Sequence, residues 1–243
     1  MMESLVERFE RVGYVVVDRV IGPSDVRALR SLFLPMFARK SAGVLQDTVL
    51  HYPQILDVLR TPRLVRALAM LLGEPFVVPP YSSVAYNGYG LFHTDTTGAE
   101  LSGQRFHQDK DFRIVTVAIY LQDNDEHGGG IRLAPGSHTE PDRYVGLMRW
   151  KAARRRLVEQ SRLRRIMKRL SRDRFYDWTR PFEEHERAVD VPSKAGDAVI
   201  WDLRMAHRAG PRRTRAPAPE DGKLALFFNC GANNPTTTQA YMS

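Results

Sequence analysis

Cysteine is nearly absent from this sequence of 243 residues, because Cys230 is the only one. A single cysteine excludes a disulfide within the chain. No apolar run is long enough to cross a bilayer, and Met1 does not open a charged-then-apolar secretion signal. We therefore expect a soluble, cytoplasmic protein with no membrane partner. Cys230 follows two phenylalanines in a strand-like stretch, which predicts a small buried side chain rather than a reactive thiol.

Acidic residues are scarcer than basic ones: 28 Asp and Glu against 36 Lys and Arg give a formal net charge of +8. Such a balance can indicate nucleic-acid binding. The excess, however, lies in residues 149–174, which hold twelve basic and two acidic residues. No aromatic stacking platform accompanies this charge, so nucleic acid is not the expected partner. Apolar residues at helical spacing predict either a solvated helix or a lid that attracts an anionic or polyhydroxylated substrate.

Helical patterns come first in the sequence and strand patterns follow. Apolar spacing predicts a helix over 2–11 and a helix or helix pair over 56–72. A short buried strand is predicted at 14–17, and the clearest strand is 114–121, whose odd and even positions lie on opposite faces. This order predicts an α+β fold, mainly β, built on an antiparallel sandwich or jelly roll.

A His-x-Asp motif at His107 and Asp109 is the strongest chemical signal. Side chains two apart on a strand share a face, so this pair can offer a nitrogen and an oxygen ligand to one metal ion. His207 closes another strand-like run a hundred residues later. Two histidines and one carboxylate are the ligand set of non-haem Fe(II) oxygenases.

Four motifs together resemble the phytanoyl-CoA dioxygenase-like family of Fe(II)/2-oxoglutarate-dependent oxygenases. They are Phe9…Gly13-Tyr14, His107-Gln108-Asp109, Gly129-Gly-x-x-Leu133-x-Pro135-Gly-Ser-His138, and Gly196-Asp197…His207-x-x-Gly210. The resemblance implies a double-stranded β-helix, which is a jelly-roll or cupin-like barrel. It implies His107, Asp109 and His207 as iron ligands and catalytic centre, with O2 and 2-oxoglutarate as cosubstrates.

With this resemblance we expect a single oxygenase domain over residues 1–243. Residues 1–74 would form an N-terminal helical support. Residues 75–148 and 186–233 would form the jelly-roll core, and 149–185 a basic helical insert or lid.

A second His-x-Asp motif competes for the metal. His93 and Asp95 have the same spacing, but they lie in a stretch rich in glycine and threonine that is typical of turns. His107 instead immediately precedes the clearest strand, as in the family, and we favour it. Asp95 is then expected to cap local backbone or to line the substrate entrance.

The anchor for 2-oxoglutarate departs from the family pattern, because the family's arginine beyond the second histidine is replaced by Pro and Ala here. Strand register predicts Lys223, which would share a face with the small Ala225. An ammonium binds a carboxylate as a point charge, without the arginine fork. Arg213 and Arg215 are the alternatives. Gln108 either contacts the cosubstrate, as in related proteins, or faces away from the site.

The resulting functional hypothesis is oxidation of a C–H bond of a small molecule, by hydroxylation or oxidative cyclisation. Asp109 argues against halogenation, since halogenases of this superfamily lack that carboxylate. The Ala- and Arg-rich composition is consistent, by analogy, with tailoring of a sugar-containing natural product or antibiotic. The alternative is a non-catalytic jelly-roll binding protein with a vestigial metal site.

Overall fold

The computed structural model describes residues 3–39, 42–79, 82–88, 95, 111–124, 129–139, 186–210 and 222–242. The basic segment 149–174 lies outside these residues, so its helix and its role as a lid stay predictions. Within the described residues, no helix has the length and apolar character needed to span a membrane.

Six α-helices in the described part mostly precede the strands. They are α1 Leu5–Val12, α2 Pro23–Phe33, α3 Thr48–His51, α4 Pro53–Leu59, α5 Pro62–Leu72 and α6 Pro235–Met242, and a 3₁₀ turn covers Leu34–Phe37. Ser4 and Glu7 cap the start of α1 reciprocally, and Gly13 ends it with a φ of 84° that favours glycine. A break before Pro62 separates α4 from α5, so the apolar pattern over 56–72 belongs to a helix pair.

The described strands form two antiparallel sheets. The strands are β1 Tyr14–Val17, β2 Gly43–Gln46, β3 Phe76–Val77, β4 Ser82–Tyr86, β5 Ile114–Tyr120, β6 Ile131–Leu133, β7 Val189–Val191, β8 Ala198–Asp202, β9 His207–Ala209 and β10 Leu224–Ala232. The larger sheet has the order β1-β8-β5-β10-β4-β2, with β3 on the end of β10; the smaller has the order β7-β6-β9. The mixed α/β architecture with antiparallel sheets is confirmed, whereas β2 was not predicted.

Strand β5 has the two faces that its sequence predicts. Val117 and Ile119 pack in the larger core with the helices, and Ala118 and Tyr120 belong to a second cluster between the sheets. We call this second set the inter-sheet cluster; its members are Ala118, Tyr120, Ile131, Leu133, Val191, Val199, Trp201, Met205 and Ala225, with Tyr14, Val16 and Phe227 against them. Full burial of each aliphatic side chain contributes about 1.5–3 kcal/mol, so β5 is central to stability.

The Gly-Asp motif before β8 joins that strand to the N-terminal region. Asp197 accepts hydrogen bonds from the backbone N–H groups of Arg19 and Lys194, at 2.8 and 2.7 Å. Gly196 has a φ of 93° and lies against the carbonyl of Ile21, where a Cβ would clash. This motif therefore sets the position of β8, which carries the chain towards β9 and His207.

Candidate active site

His207 faces the space between the sheets from the start of β9. It lies opposite Leu133 of β6, a member of the inter-sheet cluster. Ser137 accepts a hydrogen bond from the N–H of Ala206 at 2.9 Å, and the N–H of Ala134 donates to the Ala206 carbonyl at 3.0 Å. The Pro-Gly-Ser-His motif thus fixes the residue immediately before the predicted metal ligand.

The hydrogen bond at Nδ1 defines the tautomer of His207. Nδ1 lies 3.0 Å from the carbonyl oxygen of Met205. A carbonyl can only accept, so Nδ1 carries the hydrogen, and in the neutral form of this ring the lone pair is on Nε2. A backbone carbonyl in this position is the usual second-sphere partner of a metal-binding histidine. In its neutral form, a ring held in this way can bind a metal through Nε2.

Asp95 lies beside that lone pair. Its Oδ1 is 3.7 Å from Nε2 of His207, and its Oδ2 is 3.3 Å from the hydroxyl of Thr116. A distance of 3.7 Å is too long for a hydrogen bond. The two groups attract each other when Nε2 is protonated, and a cation between them has the same effect when the imidazole is neutral. The geometry fits two ligands converging on one divalent ion, since Zn²⁺-type bonds to N and O are about 2.0–2.2 Å long.

The predicted partners of His207 belong to other segments of the chain. His107, Gln108, Asp109, His93 and Arg213 lie outside the described residues. Within the described residues, no cluster of three metal-ligating side chains is complete. The assignment of His107 and Asp109 consequently stays a prediction. Asp95, which was expected at a loop or entrance, lies 3.7 Å from His207. In the sequence, only its His-x-Asp spacing indicated a position near the metal site.

Thr116 and Asn229 are polar residues of the site that the sequence reasoning missed. The Thr116 hydroxyl lies 3.1 Å from the side-chain oxygen of Asn229, in addition to its contact with Asp95. A hydroxyl has one hydrogen, so it donates to one of these two oxygens at a time. The two residues pair across β5 and β10. The sequence does contain an indication of their role, because both are polar side chains on the inner face of otherwise apolar strands.

Lys223 extends from the larger sheet to the smaller one. Its Nζ donates to the carbonyl of Gly130 at 2.7 Å and lies 5.6 Å from the centre of the Tyr120 ring. Its backbone is held by Asn87 through hydrogen bonds of 2.8 and 2.9 Å. Burial lowers the pKa of this lysine to about 8. An ammonium in this position can donate hydrogen bonds to a carboxylate.

His207 and Lys223 mark two ends of the inter-sheet space. Leu133, opposite His207, is three residues along the chain from Gly130, which contacts Lys223. At roughly 3.3 Å per residue this separation is about 10 Å. A five-carbon dicarboxylate with a metal bond at one end spans such a distance. The small side chains of Ala118 and Ala225 lie on the wall of this space, as predicted for Ala225.

His138 has a structural position. Its Nε2 donates to the carbonyl of Glu10 at 3.2 Å, tying the turn after β6 to α1. Burial lowers its pKa, which favours the neutral ring in this contact.

An imidazole prepared for metal, a nearby carboxylate and a buried ammonium define a candidate metal-dependent enzyme that uses an acidic cosubstrate. The family model for phytanoyl-CoA dioxygenase matches residues 9–219. The chain therefore belongs to the phytanoyl-CoA dioxygenase family, and its enzyme class is the Fe/2-oxoglutarate-dependent oxygenases. No match was found among curated protein sequences.

Solved structures share this fold. HygX from Streptomyces hygroscopicus, with nickel and 2-oxoglutarate bound, has a TM-score of 0.64 and 17% identity, covering 96% of this chain and 88% of HygX. The epimerase SnoN, in complex with Fe3+, alpha ketoglutarate and nogalamycin RO, has a TM-score of 0.62 and 18% identity over 94% and 82%. The carbocyclase SnoK from nogalamycin biosynthesis has a TM-score of 0.60 and 17% identity over 98% and 90%.

Proposed function

We propose that the chain is a single-domain oxygenase with a double-stranded β-helix, in which His107, Asp109 and His207 hold Fe(II). The domain limits are those predicted from the sequence. The observation that carries the proposal is the 3.0 Å contact between Nδ1 of His207 and the Met205 carbonyl, which leaves Nε2 as the ring nitrogen for a metal. Nitrogen and oxygen donors without thiolate suit Fe(II).

Asp95 is a second carboxylate at this centre, since its Oδ1 lies within 3.7 Å of His207. The position of the 107–109 motif before β5 supports Asp109 as the ligand. The observed contact of Asp95 supports the competing pair of His93 and Asp95. We assign the ligand role to Asp109 and treat Asp95 as the residue against which that assignment is tested.

Lys223 is the proposed anchor for the distal carboxylate of 2-oxoglutarate. It is buried, and its ammonium contacts the Gly130 carbonyl, three residues before Leu133, which lies opposite His207. Arg213 is the alternative anchor, and Gln108 is proposed to contact the cosubstrate near the metal. Bound iron and 2-oxoglutarate supply the oxidising chemistry, in which O2 is consumed and succinate and CO2 are released.

The proposed substrate is a small molecule whose C–H bond is hydroxylated or oxidatively cyclised. Support comes from the structural relatives, since SnoN and SnoK are enzymes of nogalamycin biosynthesis. A sugar-containing natural product or antibiotic is the substrate class we favour. The basic residues 149–174 are proposed to form a lid that attracts anionic or polyhydroxylated groups, an effect that salt would weaken.

The decisive experiment measures succinate released from 2-oxoglutarate. The purified protein is supplied with Fe(II), ascorbate, 2-oxoglutarate and air, with His138→Gln as a folded control outside the centre. We expect slow uncoupled succinate release that His207→Ala abolishes. Stoichiometric binding of metal and 2-oxoglutarate without any succinate would instead favour a non-catalytic binding protein.

A further inference from the structure

The indole of Trp201 is a buried donor in the candidate site. Trp201 lies on β8 with 1% of its surface exposed, and its side chain belongs to the inter-sheet cluster. Its ring centre is 5.4 Å from that of His207 and 6.4 Å from that of Phe227. Within the described residues, no group accepts a hydrogen bond from its Nε1.

Packing explains the ring but not the N–H group. A buried donor without an acceptor costs about 1–3 kcal/mol, and a phenylalanine would fill most of the same space without that cost. The polar neighbours contrast with it, because Thr116 and Lys223 have hydrogen-bond partners within a few ångströms. The unmet donor therefore indicates an acceptor that arrives with a ligand.

We propose that the indole N–H of Trp201 donates a hydrogen bond to an oxygen of the 2-oxo acid bound between His207 and Lys223. The inference rests on the proposed function and assigns to the cosubstrate a contact specific to this chain. Because the indole lies next to His207, its N–H would donate to the metal-bound end of the cosubstrate, while Lys223 would bind the distal carboxylate. Its deep burial suits a cosubstrate that occupies the interior better than a substrate that enters at the mouth.

Trp201→Phe tests this contact, with Phe227→Leu as a control that alters the neighbouring ring and removes no donor. Ni²⁺ replaces iron so that no turnover occurs. Calorimetry gives the Kd of Ni²⁺ and then of 2-oxoglutarate, and thermal unfolding of the metal-free protein gives stability. For Trp201→Phe we expect an unchanged Ni²⁺ Kd, a 2-oxoglutarate Kd raised roughly tenfold, and no loss of apoprotein stability beyond that of the control.

Two results would overturn the inference. A Trp201→Phe variant with wild-type affinity for 2-oxoglutarate would show that the N–H serves no cosubstrate oxygen. An equal loss of affinity in Phe227→Leu would show that the wall as a whole, rather than the donor, matters. Failure of the wild-type protein to bind 2-oxoglutarate beside Ni²⁺ would refute the proposed function itself. This outcome is distinguishable from the other two because it is seen without any variant.

Discussion

The two ends of the inter-sheet space differ in the charged groups that line them. At one end, His207 and Asp95 face each other, and the Asp95 side chain retains 33% exposure. At the other, Lys223 is buried beside Tyr120, with a carbonyl rather than a carboxylate as its partner. The first end attracts a cation and the second attracts an anion. A metal ion and a dicarboxylate together satisfy both ends, which neither ligand does alone.

Replacing the histidine at the metal end of the inter-sheet space should have the largest effect. His207→Ala deletes the oriented Nε2 donor and should weaken Ni²⁺ binding by more than roughly a hundredfold, since metal ligands contribute more than the 10–100-fold typical of their second-sphere partners. Metal titration by calorimetry measures this. His138→Gln is the matched histidine control and should bind as the wild type does. Retained metal binding in His207→Ala would show that His207 of β9 is not a metal ligand.

The next comparison separates the two carboxylates. Asp109→Asn should abolish Ni²⁺ binding because it removes an anionic ligand, whereas Asp95→Asn should weaken it less than roughly tenfold. His107→Ala and His93→Ala should follow the same order. The reverse ranking, measured in the same titration, would transfer the ligand role to His93 and Asp95.

At the opposite end, Lys223→Met should have effects of opposite sign on binding and stability. Loss of a charge-assisted hydrogen bond costs on the order of 1.5–3 kcal/mol, so the Kd of 2-oxoglutarate should rise roughly tenfold or more. Removal of a buried ammonium should stabilise the apoprotein by up to about 3 kcal/mol. Calorimetry and denaturant unfolding measure the two quantities. Arg213→Ala should change binding less, and a larger effect there would move the anchor to the loop.

The smallest effect is a pH dependence from Lys223, whose pKa is lowered to about 8 by burial. Between pH 8 and the ordinary lysine pKa near 10.5, the unfolded chain binds more protons than the folded one, so apoprotein stability should rise with pH. Below pH 8 both states are protonated and this contribution is constant. Affinity for 2-oxoglutarate should fall as pH rises through 8. If the affinity for 2-oxoglutarate does not change with pH, and Lys223→Arg leaves that result unchanged, Lys223 is excluded as the anchor.

Local rules explain what could be predicted in advance. Period-two patterning assigned the faces of β5 and placed Lys223 on the same side as Ala225. Apolar spacing over 56–72 left a single helix or a helix pair open, and the structure has the pair. These features depend on neighbouring residues, so the sequence contains them directly.

Residue types, motif order and strand parity in the sequence determined the family, the antiparallel α/β class and the chemical character of the ligands. The tertiary structure decided which distant groups meet: Asp95 with His207, Lys223 with Gly130, and the Trp201 indole with the histidine ring. These contacts join positions up to 112 residues apart. Strand order within each sheet and the packing of the two sheets bring these groups together, and no local periodicity encodes which strands face one another.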